Sequence, residues 1–243
     1  CDPHRISPQR CLVYSIGSRN DFSFENAVFR DISKTCEIHT FDPTIGRNPS
    51  KKPENVHFHP WGLGIVSPMS KLKEWDLRTL TSIVKALGHQ NRTIDILKID
   101  CEGCEFSTYD DWLSSGATIR QIQVEMHGGT IVKGTTIPEG TTPPAHQMLL
   151  TLQQAGYVIF HKEPNTLGCR GNCIEFSLLR LDLSFQQKTQ DSKQTELLQR
   201  EYIATEVRNM YVRSRKRSRQ VILSVFGRVV DSLQIFWKQI GFS

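Results

Sequence analysis

Residues 94–106 read Ile-Asp-Ile-Leu-Lys-Ile-Asp-Cys-Glu-Gly-Cys-Glu-Phe, an aliphatic run that ends in three carboxylates packed around a glycine. Asp100, Glu102 and Glu105 repel one another unless a cationic group sits among them. A second polar pair closes the run Gln121–Met126, with Glu125 inside it and His127 two positions later. A histidine is the side chain whose ordinary pKa best suits taking a hydroxyl proton near neutrality. A third group is smaller. Gly17, with Ser18 and Asn20 after it, ends the run Leu12–Ile16, and Asp42 ends the next apolar run 25 positions later. A glycine lets backbone approach a ligand, exposed amides and hydroxyls grip polar groups, and an acid on the following strand can accept both hydroxyls of a ribose. The order of glycine then acid predicts a nucleoside-like ligand.

Chemistry of this kind needs strands to present it. The Ile94–Ile99 run suits a strand buried on both faces of a parallel sheet, and ligands of open α/β sheets lie at the carboxyl ends of such strands. Further strands are predicted at 11–16, 36–41, 56–59, 121–126, 157–161 and 174–181, and helices at 22–31, 76–87, 105–113 and 146–155. Strand and helix alternate five times before two strands in succession close the pattern. Repeated βα units require parallel strands with right-handed crossovers, so the reading is a doubly wound α/β sheet. Residues 130–144, rich in Thr, Gly and Pro, read as a lid-like loop.

Composition narrows the function classes. Of 243 residues, 38% are hydrophobic, and no run approaches the length of a membrane span. Residues 186–243 carry 11 Lys/Arg against 5 Asp/Glu, which leaves residues 1–185 with 19 against 20. The basic excess belongs to the tail, so the globular part gives no electrostatic case for a specific nucleic-acid partner. Seven cysteines are present. Cys101 and Cys104 form a CxxC and Cys169 and Cys173 could close a tight loop, but they sit in different elements with no matching histidines, so no zinc site is read from them. Asn91-Arg92-Thr93 is a glycosylation sequon. The chain begins at Cys1, so an upstream signal or anchor is left open. Localisation is undetermined, with the secretory pathway and a membrane-associated setting both compatible.

The block Leu97-Lys98-Ile99-Asp100-Cys101-Glu102-Gly103-Cys104-Glu105 resembles the signature of FkbM-type methyltransferases. Val13–Gly17, His39–Pro43, His59–Leu63 and Val124–Gly128 resemble the other blocks of that family in the same order. The resemblance covers about residues 11–182 and extends to the methyltransferase-like families, class I enzymes that use S-adenosylmethionine. It implies a seven-stranded, Rossmann-like methyltransferase fold with the last strand antiparallel and S-adenosyl-L-methionine as cofactor. It also implies cofactor contacts at Gly17, Ser18, Asn20, Asp42, Trp61, Gly62, Asp100 and Glu102, with Trp61 and Gly62 near the adenine. Asp100, Glu125 and His127 become the catalytic candidates for O-methylation of a hydroxyl on a small molecule or sugar, with no metal assigned and a divalent ion held by Asp100 and Glu125 as a lesser alternative. The first motif departs from the usual pattern. Ser15 stands where an acid is usual, and Ser18-Arg19-Asn20 replaces further glycines, so a degenerate binding module without turnover is the alternative. A nicotinamide oxidoreductase would carry G-x-G-x-x-G, which is absent.

The chain divides on this reading into an N-terminal extension at 1–10, a methyltransferase-like domain at 11–182 and a basic, amphipathic helical tail at 183–243. In the tail, Ile222, Phe226, Val229, Leu233, Phe236 and Ile240 recur at helical spacing behind Arg213, Arg215, Lys216, Arg217 and Arg219. Such a seam predicts a peripheral membrane surface or a partner helix against residues 213–240.

Overall fold

The computed structural model describes residues 6–7, 9–65, 75–127, 144–166, 173–181 and 201–205. The strands are β1 Leu12–Ile16, β2 Glu37–Phe41, β3 Val56–His59, β4 Trp61–Leu63, β5 Asp76–Arg78, β6 Thr93–Ile99, β7 Thr118–His127, β8 Tyr157–Asn165 and β9 Cys173–Arg180. The helices are α1 Ser23–Asp31, α2 Leu80–Ala86, α3 Glu105–Leu113 and α4 Pro144–Gln154. Seven strands form one sheet in the order β3-β2-β1-β6-β7-β9-β8. The pairs from β3 to β7 are parallel, and β9 runs antiparallel between β7 and β8. This is the expected doubly wound sheet with its last strand reversed.

The central strands are apolar on both faces because both faces are covered. Ile38, Val13 and Ile96 pair across β2, β1 and β6 and belong to one buried cluster. Leu12, Tyr14 and Ile16 alternate with Val13 and turn into a larger cluster with Trp112, Met148 and Leu152 of the helices. Each fully buried aliphatic side chain contributes roughly 1.5–3 kcal/mol. The order of the sheet brings the carboxyl ends of β1, β2, β6 and β7 to one edge, and that edge carries the polar residues.

One predicted element differs. The helical stripe from Asp76 begins only at Leu80. Asp76–Arg78 instead pairs in parallel with Trp61–Leu63 as a two-stranded sheet. Thr79 separates the two, because its side chain accepts from the Ser82 amide at 3.2 Å and so starts the helix there. The loop at 130–144 and the seam at 213–240 fall almost wholly or wholly outside the described residues.

Candidate active site

Four predicted residues meet at the ends of β6 and β7. His127 is 8% exposed, and its ring is ringed by acids. Its Nδ1 lies 3.1 Å from Glu105 Oε1, and the same oxygen accepts the His127 backbone amide at 3.0 Å. Its Nε2 lies 3.4 Å from Glu102, 3.6 Å from Glu125 and 4.0 Å from Asp100. Burial works against a charged ring here, but the Glu105 hydrogen bond and the charges of Glu105, Glu125 and Glu102 outweigh it and raise the pKa to about 9. A ring that keeps its proton at neutral pH has no lone pair for another, which weighs against the general-base role read from sequence and favours a cation among the carboxylates.

Glu125 is shifted upward as well, which for an acid favours the neutral form. Burial, a hydrogen bond with Asp100 and the Asp100 charge raise it to about 7, against the opposing donation from Asn165 at 2.8 Å. Asp100 is tied on its other side to Lys98, whose ammonium reaches its carboxylate at 3.4 Å and the Gly17 carbonyl at 2.5 Å. The loop carrying Glu102 is clamped by a Cys101–Cys104 disulfide, which removes both thiols from any metal reading. Glu102 and Gly103 sit at φ +56° and +112°. A non-glycine residue held in that region is the kind of local strain found at functional loops. Cys173 is also disulfide-bonded, and Cys169 lies outside the described residues.

The first motif is built differently from its sequence reading. A Cβ on Gly17 would stand 1.8 Å from the Asp100 carbonyl oxygen, and its φ is +79°. The glycine is therefore required by the β1–β6 contact itself. Asp42 is also engaged within its own chain. Its Oδ2 accepts the Ser18 and Arg19 amides at 3.0 and 2.7 Å, and its Oδ1 accepts the Thr44 amide and hydroxyl at 2.8 and 2.6 Å. Burial raises its pKa, but these donors prevail and hold it below the usual carboxylate range. Beside this loop, Asn20 Oδ1 is buried with no hydrogen-bond partner among the described residues.

Trp61 borders a cavity of about 600 Å³ with Pro43, Arg47, Pro60, Trp75, Asp76 and Arg78. The Arg78 guanidinium stacks 3.6 Å over the Trp61 ring. Gly62 lies in β4, where a Cβ would meet Leu77 at 2.7 Å and Pro43 at 3.0 Å, so it serves packing. These features fit a sulfonium nucleoside: acids and an unspent acceptor near β1 and β6, a ribose-type carboxylate at β2, and a roomy aromatic cavity beyond it. Asp42 would exchange the Thr44 hydroxyl, a side-chain donor free to rotate, for one from the cofactor.

The sequence reading missed Lys98 and Asn165 as partners of the acids, and left Glu105 as one of three repelling carboxylates. Lys98 was legible as the one cation on an aliphatic strand whose other charge is Asp95. Asn165 was not, because it reaches Glu125 only through the β8–β9–β7 pairing.

Among solved structures, the chain is similar to a Methanococcus jannaschii fibrillarin pre-rRNA processing protein at 9% identity and a TM-score of 0.43, over 72% of this chain and 70% of that one. It is similar to Streptococcus pneumoniae Sp1610, assigned as a tRNA (m1A22) methyltransferase and solved with S-adenosyl-L-methionine, at 11% identity and 0.42, over 86% and 94%. A 16S rRNA (adenine(1408)-N(1))-methyltransferase from Catenulisporales acidiphilia matches at 12% identity and 0.38, over 75% and 94%. Comparison with curated protein sequences gives no match. The expectation of no specific nucleic-acid partner is corrected by these findings. Proteins described as acting on RNA are among those matched, and a near-neutral net charge over residues 1–185 is no ground for excluding such an acceptor. The FkbM-type branch in particular is not what the family comparison gives. Residues 1–180 match the family described as methyltransferase domain, and the chain belongs to that family, a class I methyltransferase with S-adenosylmethionine as its cofactor.

Proposed function

We propose that this chain methylates a hydroxyl oxygen, with Glu125 as the group that takes the hydroxyl proton. The observation that carries the reading is the convergence of Glu125, Asp100 and the His127 ring at the carboxyl ends of β6 and β7. When bound, the cofactor supplies an electrophilic methyl group on a sulfonium, and no covalent enzyme intermediate is needed. The protein must then place the acceptor oxygen in line and remove its proton. Glu125, raised to about 7, is ionised in a useful fraction near neutrality yet basic enough to accept that proton. Asp100 sustains the raised value through its charge. His127, held by Glu105, keeps a fixed positive charge beside the acids and offsets their repulsion. The carboxylates of Asp100 and Glu102 would attract a sulfonium by their charge.

Proton accounting is consistent with the hydroxyl acceptor. A hydroxyl must lose a proton as the carbon–oxygen bond forms, and the crevice holds a base of matching strength. Sugar hydroxyls qualify, whether free, in a glycan or as a ribose 2′-hydroxyl in RNA. The test is transfer of a labelled methyl group by the full chain to alcohols, glycans and RNA with or without 2′-hydroxyls. The expected product is an alkali-stable methyl ether, with Glu125→Gln slowed by roughly 10²–10⁴. Methyl found on nitrogen or carbon, or wild-type turnover in Glu125→Gln, would contradict the reading.

A further inference from the structure

A second cluster of ligating side chains lies away from the carboxyl-end crevice, at the amino-terminal side of β2. Glu37 opens that strand and His39 follows two residues later, on the same face. His89 comes from the turn behind α2, held there by its amide bond to the Val84 carbonyl at 2.9 Å. Both rings aim Nε2 at one atom, Glu37 Oε1, at 3.0 Å from His39 and 3.2 Å from His89. The three ligand atoms lie within 4.8 Å of one another. Nitrogen and oxygen ligands on one tetrahedral zinc stand about 3.3 Å apart, as follows from bonds of about 2.0–2.2 Å.

The surroundings match as well. A ligating histidine nearly always bonds a fixed partner through its other nitrogen. His39 Nδ1 lies 2.9 Å from His59 Nε2, and His89 Nδ1 lies 2.7 Å from the Tyr14 hydroxyl. Both rings are 6% exposed, while the Glu37 side chain is 34% exposed and leaves the cluster open to water on one side. Arg92 grips Glu37 through both oxygens at 3.1 and 2.7 Å. Without an ion, Oε1 meets three nitrogens, the two ring Nε2 atoms and Arg92 Nη1, and whether each ring donates follows its tautomer.

We infer that Glu37, His39 and His89 form a divalent transition-metal site, with zinc as the ion this two-nitrogen, one-oxygen set best suits. On metal binding each ring places its proton on Nδ1. His39 then donates to His59 and His89 to Tyr14, so no proton leaves the cluster. The fourth position falls to water on the Glu37 side. Arg92 lowers the carboxylate's charge and so moderates affinity, and Arg92→Gln should bind zinc more tightly.

Zinc affinity of the full, disulfide-intact chain, stripped with chelator and titrated against a chromophoric competitor, tests this. One Zn²⁺ per chain is expected, with a melting temperature that rises with zinc concentration. His39→Gln and His89→Gln should each weaken binding by at least about 100-fold and Tyr14→Phe by about 10–100-fold. Asp100→Asn and His127→Gln should leave it unchanged. X-ray absorption of wild-type protein loaded with zinc should show two imidazoles and no sulfur, and needs no variant to fold. Absence of zinc binding at micromolar concentrations, binding that survives in folded His39→Gln, loss in Asp100→Asn, or a sulfur ligand would each overturn the site.

Discussion

Glu125 and His127 are set against each other by the same crevice: burial and Asp100 hold the acid's proton on, while Glu105 and its neighbours hold the ring's proton on. Methyl transfer at saturating cofactor should therefore rise with pH as Glu125 ionises near 7 and fall as His127 loses its charge near 9. A pH–rate profile of wild type and His127→Gln checks this, and the variant should lose the upper limb. The sign for stability is fixed too. His127 has a folded pKa above its unfolded value near 6.5. Its contribution is full below about 6.5 and is lost as pH rises through about 9. A flat profile in wild type between pH 6 and 10 would remove both residues from the rate-determining step.

At the scale of elements, the site depends on how closely β1 passes β6. Gly17 cannot carry a side chain there, because the Asp100 carbonyl fills the space. Gly17→Ala should cost at least about 1–2 kcal/mol for the left-handed backbone alone. It should also displace Asp100, so denaturant midpoint and turnover fall together. A variant with wild-type values in both would show that the contact is dispensable. This is where the sequence was partly legible. Glycine at a strand end was visible, but its partner was backbone from a strand more than eighty residues away, which no local pattern reveals. The burial of Ile94, Ile96 and Ile99 was legible for the opposite reason, since apolarity on both faces is written into consecutive residues. The pairing of Trp61–Leu63 with Asp76–Arg78 was not, because three-residue strands carry too little periodicity.

For the whole molecule, the parallel body and reversed last strand follow from the βα alternation. The division proposed at residue 182 meets a tail that touches the body. Ile203 is 5% exposed and packs into the main core, and Tyr202 lies 5.4 Å from the Lys162 ammonium. Ile203→Ala should lower stability by roughly 2–5 kcal/mol, read from chemical denaturation. A change within error would make residues 201–205 a passive appendage. Site roles were harder to read than the fold, since Asp42 and Trp61 were identifiable by position while the groups that occupy them, Thr44, Ser18, Arg19 and Arg78, are set by tertiary contact. The central claim is that this crevice holds the nucleoside cofactor, and calorimetric titration with S-adenosylhomocysteine tests it most directly. Wild type should bind with a stoichiometry of one, and Asp42→Ala should bind weaker by about 1–3 kcal/mol through its lost charged hydrogen bonds. No binding by folded wild-type protein, or an unchanged affinity in folded Asp42→Ala, would contradict the account.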